Sequence, residues 1–224
     1  MNERSFVYGS DWMTIQEPSR GEQTRLTILQ AAHDLFIMQG YHGTSMRQIA
    51  RQANIALGGL YNHFSCKEAV FEAVFQAFHP YHQILPLIQA AHGSNLEQLV
   101  RDTIQRMMQV VEGRPDFMNL MFIEMVEFKS VHAQQLFTTI FPQGIQILQS
   151  IVETYPEQIR AIPSPMVVRT FLGFIFGYYL TEIALAPAAP EEFRENALQY
   201  FVDVFLHGVL AHPERKSLED VSQD

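Results

Sequence analysis

Apolar residues recur at helical spacing through nearly the whole chain after residue 20, and no stretch alternates between apolar and polar residues as a strand would. Gly40 follows the first such segment and is expected to end its helix, because glycine adopts left-handed backbone conformations at little cost. This pattern predicts an all-α protein with about nine helices. The first helix, from about Arg20 to Gln39, carries on one face Ile28, Ala31, Ala32, Leu35 and Phe36.

Residues that cap helices mark further helix starts. Ser164 followed by Pro165 predicts the start of the longest apolar helix, about Pro165–Ala186, and a last helix is predicted at about Glu191–Ala211. Two pairs of residues have the spacing of a capping box, in which each side chain bonds the backbone N–H of the other residue. These pairs are Ser45 with Gln48 and Ser94 with Glu97.

The segment from Ser45 to Lys67, SMRQIARQANIALGGLYNHFSCK, has the features of a helix-turn-helix. Two short helices can cross over a tight turn there, because Ala50 is small and Asn54 tolerates the positive φ that such a turn needs. Four apolar residues have the spacing to close a small core with the first helix: Ile49, Ile55, Leu60 and Phe64. The second of the two helices, about 57–64, fits the major groove of DNA. Its outer face would carry Leu57, Gly58, Asn62 and His63.

Charge is unevenly distributed along the chain. The net charge is −9, which argues against a whole surface that binds nucleic acid. Between Arg20 and Lys67, however, five Lys/Arg residues face only two acids, whereas from Phe71 onward nine basic residues are opposed by eighteen acidic ones. A basic head on an acidic body is expected if the head alone meets phosphate, although solvated faces that bind nothing show such imbalances too.

Residues from about 22 to 75 resemble the TetR family of bacterial transcription regulators. The resemblance begins with TRLTILQAAHDLFIMQGYHGTSMRQIARQANI and continues through GGLYNHFSCKEAVFEAVF. Its most characteristic parts are the order GYxxTSxRxIA, from Gly40 to Ala50, and the LYxHF core from Leu60 to Phe64, which Lys67 and Glu68 follow. The resemblance implies an N-terminal three-helix helix-turn-helix DNA-binding domain and a C-terminal helical domain for ligand binding and dimerisation.

The resemblance also implies roles for individual residues. Tyr61 and His63 would contact phosphates, and Lys67 would add a phosphate contact at the start of the fourth helix. Thr44 would bond phosphate, and Arg47 would reach a phosphate or a guanine edge. The residues alone leave alternatives open, with Tyr61 in the core, Thr44 as a turn residue and Arg47 as a solvated helix residue. The predicted DNA-binding set is Thr44, Arg47, Leu57, Gly58, Gly59, Tyr61, Asn62, His63 and Lys67.

The chain departs from the family pattern within the predicted recognition helix. Family members often have Ser at position 56 and Thr at position 59, where this chain has Ala56 and Gly59. Loss of a Ser N-cap costs a helix about 1 kcal/mol, and each glycine in the pair Gly58–Gly59 lowers helix propensity by roughly 1 kcal/mol. The glycines also let the backbone approach DNA closely. We therefore expect a recognition helix that is soft in the free protein.

A symmetric dimer is expected, because each half of a two-fold operator needs one recognition helix. The last two long helices are apolar around too much of their circumference for the surface of a monomer. In the TetR family the corresponding helices form a four-helix bundle across the dimer, and the resemblance implies the same here. A GxxxG pair also allows close packing of helices, within one chain or between two. The predicted dimerisation residues are Gly173, Gly177, Phe201 and Phe205.

The middle helices are rich in Met and Phe, whose adaptable side chains suit a cavity for a small apolar or aromatic effector. A Met/Phe stripe at helical spacing is more often plain core, and that alternative stays open at most of these positions. Arg169 would meet an acidic ligand or, as the favoured alternative, an acid such as Glu124 or Glu182. The predicted effector-binding set is Met118, Met121, Phe122, Met125, Phe128, Phe137, Phe141, Arg169, Phe174 and Tyr178.

A cytoplasmic location is expected. The N-terminal residues lack the basic start and apolar run of a signal peptide. Cys66 is the one cysteine, so no intrachain disulfide forms, which fits a reducing compartment. The longest apolar stretch, Met166–Leu185, contains Arg169 and Glu182, which favours a buried helix over a membrane span. Four segments are expected: a leader at 1–19, a helix-turn-helix domain at 20–66, an effector-binding and dimerisation domain at 67–212, and a tail at 213–224.

The predicted function is a ligand-responsive repressor that a small effector releases from a palindromic operator in double-stranded DNA, with activation left open. An enzyme is not expected, because no nucleophile, base and orienting acid stand in a recognisable spacing. No cofactor or metal is expected, since Pro80 between His79 and His82 interrupts a helix and no Cys/His cluster has zinc spacing. Glu124 and Glu127 share a helix face and are expected to be solvated. The alternative is a helical small-molecule-binding protein or enzyme whose helix-turn-helix is structural.

Overall fold

The computed structural model describes residues 19–114, 116–156 and 158–210. These residues contain no strand, apart from an isolated antiparallel bridge between Ile159 and Leu210, so the prediction of an all-α fold is confirmed. The helices are α1 (Arg20–Gly43), α2 (Met46–Gln52), α3 (Leu57–Tyr61), α4 (Lys67–Phe78), α5 (Tyr81–Gln89), α6 (Leu96–Glu112), α7 (Phe117–Glu127), α8 (Val131–Thr154), α9 (Ser164–Ala184), α10 (Glu191–Arg194) and α11 (Ala197–Val209), with a 3-10 turn at Ala186–Ala188.

Several elements differ from the sequence predictions, α5 and the last helix among them. α5 is a separate helix, and Pro80 precedes its first turn, where a missing backbone N–H costs little. The last predicted helix, about Glu191–Ala211, is divided into α10 and α11, because Asn196 has φ 57° and an α-helix cannot continue through that conformation. Ala211 lies outside the described residues.

The turn between α1 and α2 follows the sequence prediction closely. Gly40 has φ 74° and bends α1, after which one further helical turn ends at Gly43. Ser45 Oγ accepts a hydrogen bond from Gln48 N at 3.3 Å, and Gln48 Oε1 accepts one from Ser45 N at 2.9 Å. The left-handed Gly40 and the first capping box are therefore confirmed.

The start of α6 is capped by a residue other than the predicted one. Asn95 Oδ1 accepts a hydrogen bond from Gln98 N at 2.9 Å, whereas Ser94 Oγ donates to Gln98 Oε1 at 2.6 Å. The predicted box of Ser94 with Glu97 is wrong, and the helix starts at Leu96. Asn and Ser cap helices about equally well, so the sequence does not decide between these neighbours. α9 likewise begins one residue early, with Pro163 as its N-cap.

The chain forms two compact units. The first comprises the described residues up to Gln83 together with those of Gly113–Leu136, and the second comprises those of Ile84–Glu112 and those from Phe137 onward. The predicted boundary near residue 66 was drawn between two functions, and it does not coincide with the division into compact units. It stays a prediction.

The core of the first unit lies where α1 packs against α2, α4 and α7. The ring of Phe71 is the centre of this core, with its centroid 5.4 Å from Phe36 of α1 and 4.7 Å from Phe128 at the end of α7. Burial of this many apolar side chains is the main stabilising contribution to the fold. The fully buried residues of α1 to α4 are Ile28, Ala32, Phe36, Ile49, Leu60, Val70, Phe71 and Val74.

A buried carboxylate joins α7 to α8 in the first unit. Glu124 is fully buried and accepts hydrogen bonds from His132 N at 2.7 Å and from Ala133 N at 3.0 Å, and His132 Nδ1 lies 2.8 Å from its other oxygen. These amides belong to the first turn of α8, which leaves its N–H groups without partners inside the helix. The expectation of a solvated residue is wrong for Glu124. Glu127 instead forms an ion pair of 2.6 Å with the exposed His42.

We expect Glu124→Gln to lower the free energy of unfolding by about 2–3 kcal/mol, because a neutral amide replaces a buried carboxylate that accepts hydrogen bonds from two backbone N–H groups and contacts His132. Glu127→Gln on the same helix is the matched control and should cost less than about 1 kcal/mol, since its partner His42 is exposed. Urea unfolding followed by circular dichroism measures both changes. Equal losses in the two variants would contradict the capping role of Glu124.

The second unit is built around α6, α9 and α11. Tyr179 Oη donates a hydrogen bond to Val111 O at 3.2 Å, and Arg101 of α6 forms an ion pair with Asp203 of α11. These polar contacts fix the relative positions of the three helices around an apolar core. The buried side chains contributed by α6 and α11 include Ile104, Met107, Met108, Val202 and Leu206.

α9 leaves most of its apolar surface exposed in the single chain. Its buried residues are Val167, Tyr178 and Tyr179, so the expectation of a buried helix over Met166–Leu185 is wrong for the chain alone. By length and composition α9 would also span a membrane, a criterion that core helices of soluble proteins satisfy as well. An apolar helix this exposed marks an interaction surface.

Candidate nucleic-acid interface

α2 and α3 are joined by a turn with the geometry of a helix-turn-helix. Ala53 ends α2, Asn54 has φ 54°, and Ile55 N donates a hydrogen bond to Ala50 O at 3.0 Å. The predicted positive φ of Asn54 is confirmed. Ala50 is only 3% exposed, as the close crossing of the two helices requires.

The small core that holds this motif against α1 contains the predicted residues. Ile49 and Leu60 are fully buried and Phe64 is nearly so, while Ile55 is half-buried. The guanidinium of Arg25 on α1 lies 4.7 Å from the centroid of the Phe64 ring, in a cation–π contact. α3 is therefore anchored to the domain by its inner face.

The outer face of α3 carries most of the predicted contact residues. Tyr61 is 51% exposed, and Gly58 and Asn62 are exposed as well, whereas Leu57, Gly59 and His63 are half-buried. A Cβ atom added at Gly58 or Gly59 would meet nothing within 4 Å, so the backbone there is open to close approach. Arg47 on α2 is exposed.

α3 is a short helix that ends at Tyr61, three residues before the predicted end at Phe64. Ala56 occupies its N-cap with extended backbone and makes no side-chain hydrogen bond, because alanine has no acceptor. Asn62 N and Phe64 N continue with hydrogen bonds to Gly58 O and Leu60 O, so the residues after the helix form a turn.

Lys67 and Thr44 have internal partners that fix the end of α1 to the start of α4. Lys67 Nζ donates hydrogen bonds to Tyr41 O at 2.7 Å and Thr44 O at 2.8 Å, and it lies 4.0 Å from the centroid of the Tyr41 ring. Desolvation by burial lowers the pKa of Lys67. Thr44 is 2% exposed, and its hydroxyl donates to Gly40 O at 2.9 Å, which favours the alternative of a turn residue. These two bonds use two of the three N–H groups of Lys67 Nζ.

Histidine–carboxylate pairs connect α1 to both ends of α7. Near the start of α7, His33 Nε2 lies 2.6 Å from Asp116 Oδ2, and its Nδ1 lies 3.0 Å from Asp34 Oδ1. The two groups form a close ion pair, although the Asp116 oxygen is not aligned with the N–H as in an ideal hydrogen bond. Near the end of α7, His42 pairs with Glu127. α1 packs against both α7 and α2, the first helix of the helix-turn-helix. A change in the position of α7 would therefore reach the motif through α1.

The charge state of the His33 pair depends on pH. Burial alone would lower the pKa of His33, but Asp116 and Asp34 outweigh it and the pKa is raised. Contact with His33 in turn lowers the pKa of Asp116. The contribution of His33 to stability is therefore complete below its unfolded pKa and is lost as the pH rises through its folded pKa. The contribution of Asp116 is lost as the pH falls through its own folded pKa, so the pair stabilises most near pH 5–6.

We expect Asp116→Asn to lower the free energy of unfolding by about 1 kcal/mol at pH 5.5 and by clearly less at pH 8.5, where His33 has lost its charge. Asp102→Asn, which removes the surface partner of Arg106, is the control and should give a small loss that is similar at both pH values. Chemical unfolding at the two pH values measures the differences. A loss from Asp116→Asn that is the same at both would contradict the charged pair.

The predicted effector-binding residues are divided between the two units. In the first unit Met118 is buried, Met121 is half-buried and Phe128 packs on Phe71, while Phe122 and Met125 are more than two-fifths exposed. In the second unit the remaining members are Phe137, Phe141, Arg169, Phe174 and Tyr178. Arg169 is exposed, and within the described part of the chain it has no ion pair with Glu124 or Glu182.

The predicted dimerisation residues lie on α9 and α11. Gly173 is exposed and Gly177 half-buried, and a Cβ atom at either would meet nothing within 4 Å. Phe205 is 8% exposed, with its ring centroid 5.3 Å from that of Phe174, so it belongs to the core of the second unit. Phe201 is half-buried. The glycines thus border an open surface.

Sequence reasoning missed the polar groups that fix α7. Glu124, His132, His33 and Asp116 are each ordinary in the sequence, and their partners are distant along the chain or on another helix. The one feature of the sequence that could have indicated them was a charged or imidazole side chain within an otherwise apolar helical stripe. Among the described residues no group of three or more His, Cys, Asp or Glu side chains is arranged to hold a metal ion.

The helix-turn-helix segment matches a known family. Residues 28–74 match the family model described as bacterial regulatory proteins, tetR family. The chain is also similar to an uncharacterized HTH-type transcriptional regulator, YvkB, of Bacillus subtilis, with 25% identity over 198 residues that cover 84% of this chain and 98% of the relative.

Solved structures share the fold along most of the chain. A putative TetR-family transcriptional regulator from Mesorhizobium loti has a TM-score of 0.69 and 18% identity, with 87% of this chain and 100% of that chain covered. NalD, the secondary repressor of the MexAB-OprM multidrug efflux pump in Pseudomonas aeruginosa, has a TM-score of 0.63 and 20% identity, with 85% and 98% covered.

Proposed function

Because this chain belongs to the TetR family of DNA-binding transcription regulators, we propose that it is a homodimeric repressor that binds a palindromic operator and is released by a small effector. The observation that carries this proposal is the exposed outer face of α3, held at a fixed angle by the turn at Asn54. The relatives are transcription regulators and not enzymes. A cytoplasmic location follows, since bacterial DNA lies there.

On this proposal α3 enters the major groove. Tyr61 and His63 contact phosphates, Leu57 touches a thymine methyl group and Asn62 pairs with an adenine edge. The open backbone at Gly58 and Gly59 supports a close approach, because no side chain holds the helix away from the DNA. Arg47 on α2 and Lys67 at the start of α4 add positive charge on the helices before and after α3. A soft recognition helix that settles on binding fits the uncapped Ala56.

We expect Arg47→Ala to weaken operator binding and to reduce the slope of log K against log salt by about 0.9 for each phosphate that the protein no longer neutralises. Tyr61→Phe should weaken binding about fivefold through removal of one hydroxyl hydrogen bond. Both residues are exposed, so thermal stability should stay unchanged. Fluorescence anisotropy with labelled DNA at several salt concentrations measures these effects.

Arg106→Ala is the control for removal of positive charge, because Arg106 is an exposed arginine of the second unit. It should leave both the affinity and the salt slope unchanged. If Arg47→Ala and Arg106→Ala behave alike, the positive charge of the head has no specific part in binding, and the proposed interface is wrong.

Dimerisation through α9 and α11 is supported by their exposed apolar residues. Val204 and Tyr200 on α11 are 73% and 67% exposed, and Leu172 and Met166 on α9 are each 46% exposed. Contiguous apolar surface of this kind marks an interface, and a two-fold operator needs two recognition helices. The open positions at Gly173 and Gly177 lie on the same helix and allow a partner helix to come close.

We expect Val204→Glu to produce a monomer and to weaken operator binding more than tenfold, since each half-site then binds alone. Val126→Glu is a matched control, because Val126 is also 73% exposed but lies on α7 in the first unit. It should leave the dimer intact. Analytical ultracentrifugation measures the oligomeric state, and anisotropy measures operator binding. A dimer that persists in Val204→Glu but is lost in Val126→Glu would contradict an interface on α9 and α11.

The effector is proposed to be small and apolar or aromatic. The Met and Phe side chains of α7 and α8, including Met121, Phe128 and Phe137, are of the adaptable kind that lines such sites. Repression is supported by NalD, a protein of similar fold that is itself a repressor. A ligand releases DNA only if it binds the DNA-free state more tightly.

We expect at least one member of a panel of apolar and aromatic compounds to weaken operator binding about tenfold or more, a coupling of about 1.4 kcal/mol. Random DNA at low salt serves as the control, and its binding should respond less. Titration of each compound into the protein–operator complex measures the effect. Operator affinity that is unchanged across a broad panel would contradict the effector part of the proposal.

A further inference from the structure

A cavity of about 270 Å³ opens in the second unit where α9, α10 and α11 meet. Of the predicted effector-binding set it contains only Tyr178. The residues that line it are Tyr178, Thr181, Glu182, Glu192, Phe193, Glu195, Ala197, Tyr200 and Phe201.

The lining combines negative charge with aromatic rings. Glu182, Glu192 and Glu195 contribute three carboxylates, and no Lys, Arg or His is among the lining residues that the structure describes. Arg194, which lies between two of these acids in the sequence, is not part of the wall. Such a cavity repels anions. A neutral ligand would leave the three carboxylates without a counter-charge.

The aromatic rings form a wall and a rim. The rings of Tyr178 and Phe201 meet edge to face with centroids 5.2 Å apart. Phe193 is 48% exposed, so its ring is accessible from solvent, whereas Tyr200 also belongs to the proposed dimer surface. Aromatic faces attract cations through the negative potential above the ring, and four such residues beside three carboxylates favour an organic cation.

Tyr178 adds an observation that is independent of the acids. The residue is 6% exposed, and among the described residues its hydroxyl has no hydrogen-bond partner. Burial, with the nearby carboxylates of Glu182 and Glu112, raises the pKa of Tyr178 to about 12, so the phenol stays protonated and neutral. The residue lines the cavity, so its hydroxyl oxygen is suited to accept a hydrogen bond from an N–H donor bound there.

We propose that this cavity binds a protonated organic amine that carries an aromatic or alkyl group. The ammonium group donates hydrogen bonds to the Tyr178 hydroxyl and to the carboxylates of Glu182 and Glu192, and the apolar group packs against Phe193 and Phe201. The volume limits the ligand to a compact molecule, since it lies just below the range usual for small-molecule sites. Apart from Tyr178, this site uses none of the predicted effector-binding residues, and its test measures ligand binding without DNA.

The experiment is a calorimetric titration of the purified full chain with 2-phenylethylamine at pH 7.5, with 2-phenylethanol as a neutral ligand of the same shape. The amine should bind, and the alcohol should bind at least about tenfold more weakly, because it lacks the charge that the carboxylates and rings attract. Equal binding of the two ligands, or binding of neither to the folded dimer, would overturn the proposal.

Variants separate the cavity from the general negative charge of the protein. Glu182→Gln and Glu192→Gln should each weaken amine binding by about fivefold or more. Glu191→Gln is the matched control, because Glu191 is the neighbour of Glu192 on α10 but does not line the cavity. It should leave binding unchanged. An equal effect of all three variants would mean that the amine responds only to net charge, which overturns the site.

A second copy of the chain is the competing occupant, since α11 also carries the proposed dimer surface. Sedimentation of Glu192→Gln alongside the titration distinguishes the two. The proposal expects an unchanged monomer–dimer equilibrium with weakened amine binding. A shifted equilibrium with no amine binding to the unmodified protein would show that the partner chain fills the cavity, and the proposal would fail.

Discussion

The packing of aromatic rings around Phe71 is the constraint on which the first unit depends. Phe71 is fully buried on α4, and its ring contacts Phe36 of α1, Phe128 at the end of α7 and His132 in the first turn of α8. One side chain thereby fixes the helix that carries the DNA-binding motif relative to the helices of the middle of the chain. Interiors packed this closely transmit displacements instead of absorbing them.

Polar pairs around that ring cluster make the arrangement specific. Glu124 caps α8 from within α7, and the pairs of His33 with Asp116 and of His42 with Glu127 join the two ends of α7 to α1. Apolar packing alone tolerates small shifts in register, whereas the buried hydrogen bonds of Glu124 depend on one geometry and the two ion pairs add attraction between α1 and α7. A ligand that changes the position of α7 would therefore act on α1, and through α1 on the outer face of α3. This is the physical route on which effector release of DNA depends in the proposed function.

Local features were predictable from the sequence, and long-range partners were not. The left-handed Gly40, the capping box of Ser45 and the positive φ of Asn54 follow from properties of those residues and their nearest neighbours. The cap of α6 was misplaced by one residue because Ser94 and Asn95 are equivalent caps. The break at Asn196 was missed because asparagine tolerates both helical and left-handed backbone, so its presence alone does not decide between them. The internal bonds of Lys67 and Thr44, and the burial of Glu124, depend on residues brought together only by the fold. The residues of α3 that meet DNA were placed by resemblance and stay proposals.

The most direct test of the account is the binding of the purified dimer to DNA fragments from around its own gene, measured by anisotropy against random competitor DNA over a range of salt concentrations. The account predicts saturable binding to one fragment with a palindromic core, which weakens with salt but keeps its preference over random DNA. A folded dimer that prefers no fragment even at low salt would contradict the central claim that α3 reads an operator.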